Sequence, residues 1–175
     1  MRTRTVLLGV ALVGILGASV YGGSAGATPA SGQTTTPIAT KISFEPMDVK
    51  THAKPASLWG VQLKTRGSTD AFVVDNKFAA INHATGAVAS TGWHYHPGPS
   101  FIMVIAGTVT DYEADDPTCT GHPYHAGQGF IDSGEGAHIL RNEGDVAAET
   151  VAMQLVPENA ARRIDLPEAP GNCPF

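Results

Sequence analysis

Two histidines two positions apart are the first residues in this sequence with evident chemistry. His94 and His96 flank Tyr95. Successive side chains of a β-strand point to opposite faces, so a strand here would project both imidazoles to one side. A third histidine, His138, lies in a second strand-like segment. Three imidazoles that converge inside a β-structure suit zinc, copper, iron or nickel. The pattern therefore predicts a metal site more strongly than it predicts any one reaction.

Short β-strands are predicted for the segments that must position these histidines. Residues 101–106 are apolar, lack a helical period and are rich in β-branched and aromatic types, as expected of a strand buried on both faces. Residues 108–112 should return as its antiparallel partner through a tight turn at Gly107. A long polar loop should follow, and further strands are expected over 41–49, 58–63, 71–82, 130–132, 137–141 and 149–156. Short strands with frequent Gly and Pro turns predict an all-β barrel or sandwich.

An export signal is predicted at the N-terminus. Positively charged residues precede an apolar run over residues 6–20, and an A-x-A cleavage site follows at residues 25–27. We expect a signal peptide over residues 1–27, cut after Ala27, and a protein that is secreted or held in the cell envelope. The alternative is an uncleaved anchor, but the apolar run is shorter than the roughly 20 residues of a spanning helix. No stable membrane span is therefore expected after cleavage.

The charge balance argues against a nucleic-acid partner. The chain has 11 basic and 16 acidic residues, for a formal net charge of −5. Cleavage would remove Arg2 and Arg4, which leaves 9 basic residues and a net charge near −7. An acidic protein without basic clusters binds nucleic acid poorly. The sequence also has no nucleotide-phosphate loop and no nucleophile elbow.

The two cysteines predict one disulfide. Cys119 and Cys173 are the only cysteines in the chain, and an exported protein meets an oxidising compartment. Two alternatives remain open at this point. The cysteines could be free thiols, or Cys119 could form a stray metal pair with His122.

The domain organisation follows from composition. Residues 28–40 are mostly Thr, Ser, Pro, Gly and Ala, so we expect a disordered tether that cannot offset its ordering entropy. Residues 41–157 should form the β-domain. Residues 158–175 are rich in proline and should form an extended C-terminal tail.

At the histidines the chain resembles the cupins, which are small double-stranded β-helix (jelly-roll) barrels that often hold a metal at their centre. Two family motifs are matched in spacing, between them covering residues 91–142. The matching residues are His94, His96, Gly107, Gly127, His138 and Asn142. Four positions depart from the family pattern. Val88 and Glu135 replace glycines, and Ser133 replaces a proline. Ser100 replaces the glutamate.

The resemblance implies a metal held by His94, His96 and His138, with water completing the coordination shell. The metal would be a divalent transition ion: iron, zinc, copper, nickel or manganese. Ser100 is a poor ligand at neutral pH, so its position should leave room for a chelating substrate, dioxygen or hydroxide. Three-histidine sites in the family resemble those of thiol dioxygenases, and four-ligand sites resemble those of germin-like oxidases and dismutases. A serine at this position could also mark a site that binds a ligand without turning it over.

Two functions therefore stay open. The first is a secreted metal-dependent oxidoreductase, dioxygenase-like, that acts on a small metal-chelating molecule. The second is a non-catalytic cupin that binds a small ligand or stores metal. In both cases the expected partner is a small molecule, and assembly into a homodimer is left open.

Other polar residues have weaker claims on the site. Gln154 on the last strand could face the interior, and Tyr112 and Glu113 are candidates on the strand after Gly107. No catalytic base is assigned among them. His83 could contact the site from a neighbouring strand, although an exposed position is expected for it. Solvent-exposed positions are also expected for His52, His122 and His125.

Overall fold

The computed structural model of the protein describes residues 28–52 and 60–175. Within these ranges the chain forms strands, turns and loops, and no helix there is long and apolar enough to span a membrane. The predicted signal peptide lies outside the described residues. The strands are β1 (Gln33–Phe44), β2 (Asp48–His52), β3 (Gly60–Lys64), β4 (Thr69–Phe78), β5 (Ala89–Ser90), β6 (His94–Tyr95), β7 (Ser100–Ala106), β8 (Thr108–Glu113), β9 (His122–His125), β10 (Gly129–Asp132), β11 (His138–Asn142), β12 (Ala148–Pro157) and β13 (Ile164–Asp165).

Two antiparallel sheets contain most of these strands. The first has the order β1-β4-β12-β7-β10, and the second has the order β13-β6-β11-β8-β9, with β5 also paired to β11. The hairpin β2-β3 stands apart from both. From β6 to β12 the chain passes repeatedly between the two sheets, as in a double-stranded β-helix. The predicted all-β cupin jelly roll is confirmed as the fold class, but in the described residues the two sheets stay separate and do not close into a hydrogen-bonded barrel.

The core lies between the two sheets. Along β12, buried and half-buried residues alternate, because successive side chains point to opposite faces of a strand. One apolar cluster joins three residues of the first sheet to three of the second: Phe78, Val104, Ala148, Ala89, Val109 and Leu140. This packing holds the sheets face to face and fixes the space in which the histidines lie.

Gly107 carries the chain from one sheet to the other. Strand β7 pairs with β10 and β12, whereas β8 pairs with β9 and β11, so the predicted hairpin between residues 101–106 and 108–112 is wrong. Gly107 has a φ of 67°, and a Cβ atom there would lie 2.5 Å from the carbonyl oxygen of Ala147. The turn therefore packs against the start of β12 and redirects the chain, and a larger residue would not fit.

The predicted disordered tether over residues 28–40 is also wrong. Ser31 pairs with Ser90, and a strand follows it. Strand β1 begins at Gln33 and pairs along β4 at the edge of the first sheet. Its side chains are mostly exposed, but Gln33 and Thr35 both donate hydrogen bonds to the side-chain oxygen of Asn76 (3.1 and 2.8 Å). Backbone pairing and these polar contacts order the segment, so its low apolar content did not decide the outcome.

The C-terminal tail packs on the second sheet. The predicted Cys119–Cys173 disulfide is confirmed, and Cys173 is buried against Trp93 and Ile139. The guanidinium carbon of Arg141 lies 3.6 Å from the ring centre of the last residue, Phe175. Earlier in the tail, after the end of β12, strand β13 pairs with β6. The tail therefore covers the strand that carries His94.

Candidate metal centre

The structure brings His94, His96 and His138 together between the sheets. His94 lies on β6 directly opposite His138 on β11, and His96 follows β6 by one residue. All three side chains are buried, with 4%, 3% and 1% of their surfaces exposed. Their candidate ligand nitrogens all lie within 4.8 Å of one another. The spacing that suggested a shared face in the sequence therefore corresponds to one compact cluster.

Each histidine is oriented by an acceptor at its Nδ1 atom. A carbonyl or carboxylate oxygen can only accept a hydrogen bond, so each Nδ1 carries a hydrogen and, in the neutral ring, Nε2 keeps its lone pair. This arrangement fixes the ring orientation in many metal sites. The acceptors are the carbonyl oxygen of Gly92 for His94 (2.8 Å), the carbonyl oxygen of Arg162 for His96 (2.7 Å) and Oδ1 of Asp111 for His138 (3.0 Å).

The donor set fits a divalent transition metal. Nε2 of His138 is fully buried and has no hydrogen-bond partner among the described residues. A buried polar atom without a partner is costly, and a bound cation would satisfy it. Three imidazole nitrogens suit zinc, copper, iron or nickel, so the residues fit the type of ion that the sequence predicts. The identity of the ion does not follow from the donor set alone.

Burial keeps two of the histidines neutral. It lowers the pKa of His94 well below its usual value, aided by the neighbouring charges of His138 and Arg163. Burial also lowers the pKa of His96 to about 4. Neutral imidazole is the form that coordinates a metal, so both rings are ready to bind at neutral pH.

His138 has a different electrostatic environment. Burial alone would lower the pKa of His138, but the hydrogen bond to Asp111 and the charges of Asp111, Asp132 and Glu113 outweigh it and raise the pKa. The cluster therefore has a negative side around His138, which favours a cation.

A row of three polar residues on the first sheet faces the cluster. Ser100 on β7 is directly opposite Asp132 on β10 and directly opposite Gln154 on β12. Directly opposed residues of neighbouring strands project to the same face of a sheet. All three are buried, with 1%, 6% and 3% of their surfaces exposed. The position at which the sequence has serine instead of glutamate is thus the centre of this row.

Two of the three residues have an unsatisfied oxygen. Oγ of Ser100 and Oδ2 of Asp132 have no hydrogen-bond partner among the described residues. The side chain of Gln154 is better satisfied, because its nitrogen lies 3.2 Å from Nε2 of His96 and its oxygen accepts a hydrogen bond from Arg162 (2.9 Å). Gln154 therefore faces the interior, as its alternating strand suggested.

A cavity of about 30 Å³ lies at the cluster, which is room for about two water molecules. Its lining includes the three histidines, Ser100, Gln154, Arg162 and Arg163. The arginines come from the C-terminal tail, which the sequence analysis placed outside the β-domain and left out of the site.

Arg162 makes one side of the cavity cationic. Arg163 is paired with Asp165 (2.5 Å), but Arg162 has no carboxylate within 4.0 Å among the described residues. The residues outside the described ranges include no aspartate or glutamate, so they cannot supply one. Burial lowers the pKa of Arg162, and the charge of Arg163 lowers it further. An anion in the cavity would relieve this excess of positive charge.

Sequence reasoning missed the two buried aspartates. Asp111 holds His138, and Asp132 ends β10 with a side chain 3.8 Å from the same ring. A detectable signal existed for Asp132, because it is a carboxylate that follows two apolar residues at the end of the predicted strand 130–132. Asp111 shares one face of β8 with Val109, and nothing in this local pattern indicates that Asp111 contacts a histidine.

The remaining sequence candidates do not line the cavity. The Tyr112 hydroxyl donates a hydrogen bond to Glu143 (2.9 Å) near the tail. Burial raises the pKa of Glu113, as does the charge of Asp111, but Glu113 does not line the cavity. His83 is exposed and contacts Asp145. His52 ends β2, and the burial of its side chain lies outside what the structure describes. His122 and His125 are exposed on β9, a strand within the segment where a loop was expected.

Comparisons with known proteins find similarity at the level of structure. No protein-family model and no curated protein matches the chain. A double-stranded β-helix protein from Klebsiella pneumoniae is 19% identical (TM-score 0.44), with 69% of this chain and 84% of that one covered. A cupin-like protein from Thermotoga maritima is 18% identical (TM-score 0.43; 55% and 64% covered). The polyketide cyclase RemF from Streptomyces resistomycificus is 12% identical (TM-score 0.49; 82% and 79% covered).

This chain's own strand order and histidine cluster define its class. It has the cupin double-stranded β-helix fold, and a three-histidine cluster that could hold a metal lies between its sheets.

Proposed function

We propose that this protein is an exported metal-dependent oxidoreductase of the dioxygenase type, acting on a small anionic molecule that chelates the metal. The observation that supports this most directly is the convergence of three buried imidazoles with every Nδ1 atom held by an acceptor. A site that served only structure would not need three buried imidazoles oriented around one polar cavity.

The roles of the chain's own groups follow from their contacts. His94, His96 and His138 would hold the ion, and the acceptors at their Nδ1 atoms would keep the rings in place. When bound, such an ion supplies Lewis acidity and open coordination positions. The buried walls of the cavity restrict water around the reacting molecule, which strengthens electrostatic interactions there.

The charge of the cavity indicates the class of substrate. The guanidinium group of Arg162 is half-buried and lacks a carboxylate partner in the described part of the chain. Guanidinium groups bind carboxylates and other oxyanions well. We therefore expect a small carboxylate or similar oxyanion that binds the arginine with one end and the metal with the other.

A non-catalytic metal store or ligand binder is the second candidate. The cavity of about 30 Å³ favours it, because so small a space admits only a few atoms without rearrangement. The iron-loaded protein supplied with small carboxylates distinguishes the two. Dioxygen consumption above that of the metal-free protein supports the oxidoreductase, and tight metal binding without consumption supports storage.

The first prediction concerns the metal ligands. Replacing His96 by Ala should abolish stoichiometric metal, because one of three imidazole donors is lost. Replacing Ser100 by Ala should leave metal content nearly unchanged, because serine is a poor ligand at neutral pH. Elemental analysis of protein purified from its native compartment measures both and identifies the ion. Iron would favour oxygen chemistry, and zinc would not.

A matched control is His83→Ala, which removes an exposed histidine far from the cluster. It should keep full metal content. Metal that survives His96→Ala, or wild-type protein that takes up no iron, zinc, copper, nickel or manganese on reconstitution, would contradict the metal assignment. A metal-free small-ligand binder would then be the better interpretation.

A further inference from the structure

We infer that Asp132 is the carboxylate of this metal site, a fourth protein group directed at the ion, which takes over the side that Ser100 leaves without a ligand. The inference rests on the proposed metal-binding function. Sequence spacing alone places a serine where a carboxylate ligand is expected. The structure places a carboxylate directly beside that serine, on the neighbouring strand.

The register of the sheet puts Asp132 on the correct face. Asp132 and Ser100 are directly opposed on β10 and β7, so their side chains project to the same side. That side faces the histidines, because Ser100 lines the cavity and Oδ2 of Asp132 lies 3.8 Å from Nε2 of His138. The carboxylate therefore lies one strand away from the position of Ser100, at the edge of the cluster.

The carboxylate of Asp132 is held in place by its other oxygen. Oδ1 accepts a hydrogen bond from the backbone nitrogen of Gly134 (2.9 Å). Gly134 itself cannot carry a side chain without conflict, because a Cβ atom would lie 2.6 Å from the carbonyl oxygen of Gly98 and 2.7 Å from that of His96. The turn after β10 is thus locked against the segment that carries His96, and Oδ2 is left directed inward.

The facing atoms of Asp132 and His138 both lack a hydrogen bond to any residue that the structure describes. Within the described part of the chain, Oδ2 of Asp132 and Nε2 of His138 are both buried without hydrogen-bond partners, although they lie 3.8 Å apart. A buried carboxylate oxygen without a partner is unfavourable unless a cation compensates it. One dication bound by the histidines would satisfy both atoms. It would also gain a negative group beside a cavity whose charged lining residues are arginines.

The test is Asp132→Asn, in which Asn keeps the shape and the oxygen that accepts from Gly134 and loses only the charge. The expected result is a Kd for zinc or manganese about 10- to 100-fold weaker than that of the wild type, by analogy with changes at groups that support metal ligands. Titration calorimetry of the full chain measures it. The matched control is Glu135→Gln, which removes an exposed carboxylate three residues away and should leave the Kd unchanged.

A second measurement separates ligation from a structural role. The metal-free Asp132→Asn protein should melt close to the wild-type temperature, because asparagine keeps the oxygen that accepts the hydrogen bond from Gly134. An unchanged metal Kd, or an equal loss in Glu135→Gln, would overturn the inference while His96→Ala still tests the metal site by itself. If the wild type binds no metal at all, the proposed function fails and the inference fails with it.

Discussion

Arg162 shows how one residue can serve the cluster through two different groups. Its carbonyl oxygen orients His96, and its side chain lines the cavity and donates to Gln154. The carbonyl is independent of the side-chain type, so substitution can separate the two roles. The loss of the guanidinium should affect the anionic ligand and leave the metal in place.

The residue-scale prediction is therefore Arg162→Gln. We expect binding of small carboxylates such as acetate and malonate to the metal-loaded protein to weaken by about 10-fold or more, because a hydrogen bond to a charged group contributes about 1.5–3 kcal/mol. Metal affinity should stay at the wild-type value. Calorimetric titration of carboxylate and of metal measures both, with the exposed Arg66→Gln variant as control. Equal carboxylate affinity in Arg162→Gln and wild type would contradict an anionic substrate.

At the scale of elements, the loop between β8 and β9 is organised by Asp116. Its carboxylate accepts hydrogen bonds from the hydroxyl (2.6 Å) and backbone nitrogen (2.9 Å) of Thr118 and from the backbone nitrogen of Thr120 (2.7 Å). These bonds lower the pKa of Asp116 far below its usual value. The carbonyl oxygen of Asp116 also accepts from Asn172 in the tail (2.7 Å). The loop and the tail are thus joined beside the disulfide.

Replacing Asp116 by Asn should lower the melting temperature at pH 7, and the difference from wild type should shrink in acid. The folded-state pKa lies below the unfolded-state value of about 3.9, so the carboxylate stabilises fully above about pH 5 and loses this effect as the pH falls toward the folded-state pKa. Circular dichroism melting curves at pH 7 and pH 3 measure the change. The exposed neighbour Asp115→Asn should show little difference at either pH. A pH-independent difference for Asp116→Asn would contradict this account.

Sequence reasoning succeeded for elements with a strong local pattern. The segment of β12 was predicted from its alternation, and β7 from its apolar run. It failed where partners decide the structure. Strand β1 has a composition typical of a disordered segment, but its pairing with β4 orders it. The turn at Gly107 connects two sheets because β7 and β8 pair with strands far away in the sequence and not with each other.

The same distinction applies to the site. The three histidines could be found by spacing, because a strand period of two is a local property. Asp111, Asp132 and Arg162 could not, since each reaches the cluster through pairing or packing with residues far away in the sequence. The pairing of Cys119 with Cys173 was predictable because the chain has no other cysteine.

At the scale of the whole molecule, export remains a prediction. Intact-mass measurement of protein recovered from outside the cytoplasm should show a chain that begins at Thr28, because the signal pattern places the cut after Ala27. Non-reducing and reducing samples should also differ by the two hydrogens of one disulfide. A recovered chain that still carries residues 1–27 would show that the segment is a membrane anchor. The control is the same protein made without residues 1–27, which should stay inside the cell.

The contact between the Arg162 carbonyl and His96 also imposes an order of events on a chain that is made from its N-terminus. His94, His96 and His138 all emerge before the acceptor for His96 exists, and β6 gains its partner β13 only when Asp165 has followed. A nascent chain therefore lacks the group that orients His96 until nearly its last residues appear. If translocation precedes folding, the complete donor set first forms in the destination compartment, and the metal supply of that compartment decides which ion the protein acquires.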